Sequence, residues 1–189
     1  MTRIPLAKDE ELTPAQLEFF RVAPAGKLNL ARLLAHGTTV FLPFMEFAKA
    51  VFAKLDIPPR EREIIALAVQ HLERSKYEWA QHVEIAEDMG ISRDKINAID
   101  DGRFNAPVFN GREIAILAFT RQVVRAGRVD DYAFGALSAF YSSRQIVETI
   151  YTIGCYMMVV RVSEVAEIEV DAVHGAEVVR QAVADAKQR

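Results

Sequence analysis

Residues 60–75 read REREIIALAVQHLERS, and this stretch has the clearest helical pattern in the chain. Its core-type side chains recur at positions i, i+3, i+4, i+7 and i+8, the spacing of a helix with one buried face. These positions are Ile64, Leu67, Ala68, His71 and Leu72. The pair Pro58-Pro59 stands just before, where a missing backbone N–H costs little at a helix start. The sequence therefore predicts a core-facing helix beginning at this proline pair.

The same pattern returns fifty positions later, in GREIAILAFTRQVVRAG from Gly111. Aligning residues 60–99 with residues 110–149 without gaps yields eight identities in 40 positions. The identical pairs are Arg62/Arg112, Glu63/Glu113, Ile64/Ile114, Leu67/Leu117, Ala68/Ala118, Ala86/Ala136, Ser92/Ser142 and Ile96/Ile146. Because helix starts and cap serines fall in register, both copies predict the same order of helix, turn, helix, cap and helix.

Capping signals set the other boundaries. Thr13 with Gln16 predicts a helix from Pro14 to Val22, and Ser142 with Gln145 predicts a long helix through about Ile168. Further helices are expected over residues 28–34, 40–55, 76–89 and 92–99, at GREIAILAFTRQVVRAG and DDYAFGALSAFY, and from Val173 to Lys187. No segment alternates like a strand with a hairpin turn. The predicted class is all-α, a compact helical bundle built on a duplicated helical unit with extra N-terminal helices.

Composition limits the domain organisation and the kinds of partner. The chain has 189 residues, of which 51% are hydrophobic and 26% charged, with a net charge of −3. We expect one domain over residues 1–189, with an N-terminal helical extension over about 1–56, a core over about 57–168 and a C-terminal helix over about 169–189. The absence of a basic excess argues against nucleic acid as a partner. The N-terminal sequence lacks a signal-peptide pattern and no apolar run reaches 18 residues, so we expect a cytoplasmic protein without membrane contact.

The stretch SKYEWAQH, residues 75–82, carries the candidate chemistry. On a helix, Glu78 and His82 lie one turn apart on the same face, where the carboxylate could orient the imidazole. Glu63, 19 residues before His82 on the preceding helix, could reach the same point across a helical hairpin. We predict Glu63, Glu78 and His82 as catalytic residues. The neighbours Ser75, Tyr77, Trp79 and His71 are predicted to bind a small-molecule substrate.

Other interpretations of Glu78 and His82 stay open at this point. A Glu and a His at i and i+4 also form an ordinary helix-surface pair worth a few tenths of a kcal/mol. A bundle metal site would use Glu-x-x-His on two helices, and this spacing is not present, so neither a metal nor a cofactor is expected. The second copy of the repeat has Arg128 and Tyr132 at the positions of Glu78 and His82. The pair therefore occurs only once.

The residues also carry a family resemblance. RERE at a helix start, YEWAQHVEIAEDMGIS, and a second unit that begins GREIAILAF and ends in an aromatic- and Met-rich helix together resemble the carboxymuconolactone decarboxylase family. That all-helical family includes alkylhydroperoxidase D-like proteins, and the resemblance covers roughly residues 38–168. It implies a homo-oligomer, commonly a dimer, trimer or hexamer, with its pocket near the subunit contacts.

The resemblance implies two branches with different chemistry. The peroxidase branch has a Glu, then Cys-x-x-Cys, then a His. Counted back from His82, the two cysteine positions fall at Ser75 and Glu78, and the Glu falls at Glu63. Serine cannot form a sulfenic acid or a disulfide. The sole cysteine, Cys155, lies far away in an apolar run and reads as a core residue. Thiol peroxidase activity by that mechanism is therefore excluded.

The decarboxylase branch has a Glu-x-x-x-His motif without cysteines. Glu78 and His82 resemble this motif. It implies a cofactor-free lyase acting on a small carboxylated lactone or keto-acid-like substrate, with His82 as acid/base, Glu78 orienting it and Glu63 as a second proton donor. Arg60, Arg62 or Arg74 could supply positive charge. Decarboxylation, isomerisation and lactone opening remain alternatives, as does a non-catalytic helical oligomer that binds a ligand. An enclosed His82 would favour the enzyme, and an exposed one the binding protein.

Overall fold

The computed structural model describes residues 2–171 and 175–187, and every regular element within them is helical. Short 3₁₀ turns cover Asp9–Glu11 and Pro24–Lys27. The α-helices are α1 (Pro14–Val22), α2 (Asn29–Leu34), α3 (Thr38–Ala53), α4 (Pro59–Glu73), α5 (Lys76–Asp88), α6 (Arg93–Asp100), α7 (Gly111–Ala126), α8 (Asp131–Ser138), α9 (Ser143–Ala166) and α10 (Gly175–Lys187). The predicted all-α class is confirmed.

Helix α4 is the centre of the bundle. It packs against α5, α7 and α9, and every residue from Arg62 to Gln70 is buried. The sequence pattern predicted one buried face, whereas neighbouring helices cover α4 all round over this stretch. The polar side chains of Arg62, Glu63 and Gln70 are consequently forced into the interior.

The duplicated unit is visible as α4–α5–α6 followed by α7–α8–α9. Residues 91–100 and 141–150 show the same burial class at every position, with Ile96 and Ile146 as matching buried residues. The guanidinium carbon of Arg62 lies 4.1 Å from the centre of the Phe52 ring, and that of Arg112 lies 4.2 Å from the Tyr141 ring centre. The predicted duplication is therefore confirmed in burial as well as in element order.

Helix ends largely follow the capping signals. Thr13 and Gln16 form a capping box on α1, and Ser142 and Gln145 form one on α9. The α9 helix ends at Ala166 rather than near Ile168, because Glu167 adopts a left-handed conformation with φ of 51°. The terminal helix was predicted from Val173, which lies outside the described residues, and α10 is described from Gly175.

Helix α9 is long and apolar enough, by length and composition alone, to cross a membrane. However, 56% of its apolar window is buried inside the bundle. Its buried face includes Thr152, Tyr156 and Val160. Burial of this kind is the property of the core helix of a folded domain.

Asp171 ties the C-terminal part of the chain to the bundle. Its Oδ1 accepts a hydrogen bond from the backbone N–H of Asn29 at 2.5 Å, and its Oδ2 accepts from Gln81 Nε2 at 2.9 Å and from the Tyr77 hydroxyl. The N–H of Gly175 in turn donates to Gln81 Oε1. Helix α10 is thereby held against α5 and the Pro24–Lys27 turn.

Replacing Asp171 by Ala should loosen α10 without unfolding the bundle. Three buried or half-buried donors lose one charged acceptor, and hydrogen bonds to charged groups contribute about 1.5–3 kcal/mol. We expect backbone amides of residues 175–187 to exchange with deuterium roughly ten- to hundredfold faster, with α4 unchanged. Asp101→Ala, at an exposed ion pair with Arg103, is the control. Unaltered protection of α10 would show that Asp171 does not anchor it.

Candidate active site

Glu63, Glu78 and His82 meet between α4 and α5. The two helices form a hairpin that turns at Arg74, which has a left-handed φ of 61°. His82 Nδ1 lies 2.5 Å from Glu63 Oε1, and His82 Nε2 lies 3.6 Å from Glu78 Oε2. The exposed fractions are 0% for Glu63, 4% for Glu78 and 7% for His82. The three residues therefore form a buried cluster, and the interpretation of Glu78 and His82 as a helix-surface pair does not hold.

The carboxylates determine the charge of His82. Burial lowers the pKa of this imidazole, but the charges and hydrogen bonds of Glu63 and Glu78 outweigh burial and raise the pKa to about 10. His82 is thus an imidazolium at neutral pH. Arg62 adds a second buried cation, with its Nη2 3.9 Å from Glu63 Oε2 and its Nη1 donating to the Phe52 carbonyl. Positive and negative groups alternate from Arg62 to Glu78.

A cavity of about 310 Å³ opens beside Glu78 and His82. It lies between α2, α3, α5, α9, α10 and the Pro24–Lys27 turn, and its walls are mainly apolar. Typical apolar wall residues are Leu30, Phe44, Phe52, Ile85, Val159 and Val178. Glu78 and His82 are part of the wall, whereas Glu63 lies behind His82. The cavity is at the lower end of the size range of small-molecule sites.

Most other polar groups in the wall are already bonded. The Tyr77 hydroxyl donates to Asp171, and the Gln81 side chain bonds to Asp171 and to the Gly175 N–H. In contrast, the Oε1 atom of Glu78 is buried without a hydrogen-bond partner among the described residues. Glu78 thus belongs to the cavity wall and carries one unused acceptor, which is itself buried.

The remaining residues predicted to bind substrate, other than Tyr77, lie away from the cavity wall. Ser75 caps α5: its Oγ accepts from the Glu78 N–H at 3.2 Å and donates to Glu164 at 3.0 Å. Trp79 is half-buried against the main core. His71 lies toward the other end of α4, where it packs on Phe104 and where burial lowers its pKa. Tyr77 thus lines the cavity, whereas Ser75 caps α5 and Trp79 and His71 pack against neighbouring side chains.

The predicted sources of positive charge are also elsewhere. Arg60 donates to the Gly90 carbonyl, and Arg74 forms the left-handed cap of α4. Arg62 is behind Glu63 and does not line the cavity. Within residues 2–171 and 175–187, no group of three or more His, Cys, Asp or Glu side chains has metal-binding geometry.

Helix α9 contributes site residues that the sequence did not indicate. Cys155 is buried, as predicted for a core residue, but it also lines the cavity. Burial and the charge of Glu78 raise the pKa of its thiol to about 12, so it is protonated at neutral pH. The Tyr156 ring packs edge-on against His82, with 5.0 Å between ring centres. The periodicity of α9 predicts a buried face, but no local signal shows that this face meets α5.

The second copy of the repeat has no equivalent site. Tyr132, at the position of His82, is 88% exposed. Glu113, at the position of Glu63, pairs with Lys95 at 2.5 Å and caps the start of α7 through Asn110. The asymmetry expected from the alignment is therefore present in the folded chain.

The fold and the buried cluster together define an all-helical protein with a Glu/His cluster beside a mainly apolar cavity. The sequence model of the carboxymuconolactone decarboxylase family matches residues 39–104, a stretch that contains Glu63, Glu78 and His82. No curated protein sequence matches the chain at a significant level. The matched stretch is 66 of the 189 residues, and the chain has the alkylhydroperoxidase D-like fold.

Several solved structures share this fold across nearly the whole chain. An uncharacterized peroxidase-related protein from Silicibacter sp. TM1040 has a TM-score of 0.78 at 17% identity, covering 92% of this chain and 94% of its own. The alkylhydroperoxidase AhpD core protein from Ralstonia eutropha JMP134 has a TM-score of 0.77 at 18% identity, covering 93% and 96%. A variant of the debrominase Bmp8 in complex with 2,3,4-tribromopyrrole has a TM-score of 0.74 at 19% identity, covering 91% and 93%. At these identities the likeness establishes the fold.

The charge of His82 makes stability depend on pH. The pKa of His82 rises from 6.5 to about 10 on folding, so its contribution is fully present below about pH 6.5 and is lost as the pH rises toward 10. Between about pH 7 and 9 the free energy of unfolding should fall by up to about 1.4 kcal/mol per pH unit more steeply in the wild type than in His82→Gln. Urea unfolding of both proteins measures the difference. Parallel curves would contradict a charged, paired His82.

Proposed function

We propose that this protein is an enzyme that moves protons on a small carbonyl compound by the acid/base chemistry of its own side chains. The observation that carries the proposal is the buried row Glu63–His82–Glu78, of which only Glu78 and His82 line the cavity. Charged groups without exposed surface are costly unless paired, and perturbed ionisable groups in a cleft are typical of catalytic sites.

The geometry suggests a role for each residue. Glu78 belongs to the cavity wall, carries an unused buried acceptor and is the candidate base. His82 is cationic, so it is suited to stabilise negative charge or to donate a proton. Glu63 lies behind His82 and holds its ring through the 2.5 Å contact. This assignment exchanges the roles that the sequence suggested, in which His82 was the acid/base and Glu78 oriented it.

One enolate intermediate connects the candidate reactions. In an isomerisation, the Glu78 carboxylate takes a proton from the carbon next to the carbonyl, and the C–H electron pair moves onto the carbonyl oxygen. Because Glu78 is neutral once it holds this proton, it no longer pairs with the His82 imidazolium, which then stabilises that oxygen. The proton returns to a different carbon. In a decarboxylation, the bond to the carboxylate carbon breaks, CO₂ leaves, and the same enolate is protonated on carbon. A decarboxylase-type lyase acting on a carboxylated lactone is therefore one version of this proposal.

Support from similar structures concerns the size of the substrate. Bmp8, which shares the fold, was solved with 2,3,4-tribromopyrrole, a small ring. A substrate of similar size would fit a cavity of about 310 Å³, the liquid volume of about ten water molecules. Two cysteines at the positions of Ser75 and Glu78 are not present, so the peroxidase-type names of related folds are not carried over to this chain.

Turnover by variants tests the proposed roles. A screen of lactones, β-keto acids and enolisable ketones, read by NMR as product formation or as proton exchange in D₂O, should reveal a substrate. Glu78→Gln and His82→Gln should each lower kcat/KM by roughly 10²–10⁴ and retain the helical fold. Glu87→Gln, exposed on the same helix, should be unchanged. Full activity in both site variants would refute the assignment.

Two further outcomes would favour other functions. Hydroperoxide turnover with a thiol reductant, abolished by Cys155→Ser, would establish thiol chemistry despite the high pKa of that thiol. Tight binding of a compound that is never converted, with no proton exchange, would indicate a non-catalytic binding protein. Both outcomes can be read in the same screen.

We also propose that the chain forms a homo-oligomer through the exposed side of α9, with a second copy of the chain as the partner. Val147, Ile150, Tyr151, Met158 and Val165 are between 41% and 65% exposed, and their spacing places them along one side of the helix. A row of exposed apolar side chains along one helix face, interrupted here by Gly154 and Arg161, is typical of interaction surfaces. The family resemblance to homo-oligomers supports the same partner.

A charged residue introduced into this row should weaken self-association. We expect sedimentation velocity to show an oligomer for the wild type and at least about tenfold weaker association for Tyr151→Glu, since a buried unpaired carboxylate opposes packing. Tyr132→Glu is the matched control, because Tyr132 is exposed on α8, away from the row. A monomeric wild type, or identical behaviour of both variants, would contradict the proposal.

A further inference from the structure

We infer that the cavity selects an uncharged, largely apolar ring compound that presents one hydrogen-bond donor or acidic C–H to Glu78, and that it discriminates against carboxylates. This inference deepens the proposed function and rests on it for the choice of site. It also narrows the candidate reactions, because it favours proton transfer on neutral ketones over the decarboxylation of an acid.

The walls of the cavity supply little besides apolar surface. Pro24 and Ala25 come from the 3₁₀ turn, Leu34 from α2, Phe44 from α3 and Val179 from α10. These four elements of the wall are separate in sequence, so the cavity exists only when α10 and the N-terminal helices are both in place. Apolar surface buried on binding contributes roughly 25 cal/mol per Å², and this term favours a ring without charge.

Positive groups suited to a carboxylate are missing from the described part of the wall. Lys49 is the one Lys or Arg there, its side chain is 66% exposed, and its Nζ lies 4.0 Å from Glu46. His82 is cationic, but its two ring nitrogens face Glu63 and Glu78. An anion in the cavity would therefore lose its water shell without gaining a free cationic partner.

Neutral donors at the wall are equally restricted. The Tyr77 hydroxyl and the Gln81 amide are both bonded to Asp171. The Cys155 thiol is a weak donor. A carboxylate ligand would therefore have only the second N–H of the Gln81 amide among these side-chain donors, without a cation beside it.

The charge of Glu78 makes the cavity favour neutral donors over carboxylates. Its Oε1 atom has no described hydrogen-bond partner, and its residue is only 4% exposed. A hydroxyl, an N–H or an acidic C–H on a ligand that reaches the Glu78 carboxylate would satisfy this acceptor. A second carboxylate at the same place would be repelled with little water to screen it, and juxtaposed like charges at an interface cost several kcal/mol.

The test compares two ligands that share one ring system. Isothermal titration calorimetry of the full chain at neutral pH measures 2-naphthol, a neutral donor, against 2-naphthoate, a carboxylate. We expect 2-naphthol to bind at least about tenfold more tightly. Equal affinities, tighter binding of 2-naphthoate, or no binding of 2-naphthol at millimolar concentration would each overturn the inference.

Three variants locate the binding and its cause. Ala48→Trp places an indole at the cavity wall and should abolish 2-naphthol binding, whereas Ala80→Trp, on the exposed side of α5, should not. Glu78→Gln removes the charge and adds an N–H donor, so the preference for 2-naphthol should shrink to less than about threefold. An unchanged preference in Glu78→Gln would show that another group makes the selection.

Binding and turnover separate the two proposals. A tenfold preference for 2-naphthol that depends on Glu78, in a protein that never turns over a carbonyl compound, would keep this inference and remove the proposed enzyme. Turnover that depends on Glu78 and His82, together with equal binding of both naphthalenes, would keep the enzyme and remove the inference.

Discussion

The contact between Glu63 and His82 is the interaction on which the site depends. Glu63 belongs to a helix that is surrounded on all sides, and its carboxylate has no exposed surface. A buried carboxylate must be paired, so α5 has to present a cation at this point of α4. His82 does so at 2.5 Å, and the same helix then brings Glu78 to the edge of the cavity. The central helix thus determines both the packing of the hairpin and the charge of the site.

The two repeat copies pair their corresponding buried carboxylates in different ways. Glu113 corresponds to Glu63, but its partner is Lys95, and its carboxylate also caps the start of α7. In the first copy the partner is a histidine with a second carboxylate and a cavity beside it. Only this copy therefore combines a movable proton with space for a ligand.

The cavity explains why the site residues were only partly predictable. The spacing of Glu78 and His82 on α5, with Glu63 on the preceding helix, was sufficient to bring the three together in the prediction, and the structure confirms that they meet. Tyr77 was also placed at the wall. The wall contributed by Cys155 and by the N-terminal helices was not predictable, because it arises from contacts between helices that are far apart in the sequence. Ser75 was singled out by its position in the motif, but its hydroxyl is used to cap α5.

Local signals in the sequence determined the all-α class, most helix boundaries, the duplication and the lack of a cysteine pair, since capping, periodicity and residue identity act over a few positions. Only the tertiary structure decided that α4 is buried all round, that His82 is cationic and that Glu78 rather than Glu63 borders the cavity. The pKa of His82 is the clearest example. It depends on the loss of water and on charges from two helices, and neither exists before α4, α5 and α9 pack together.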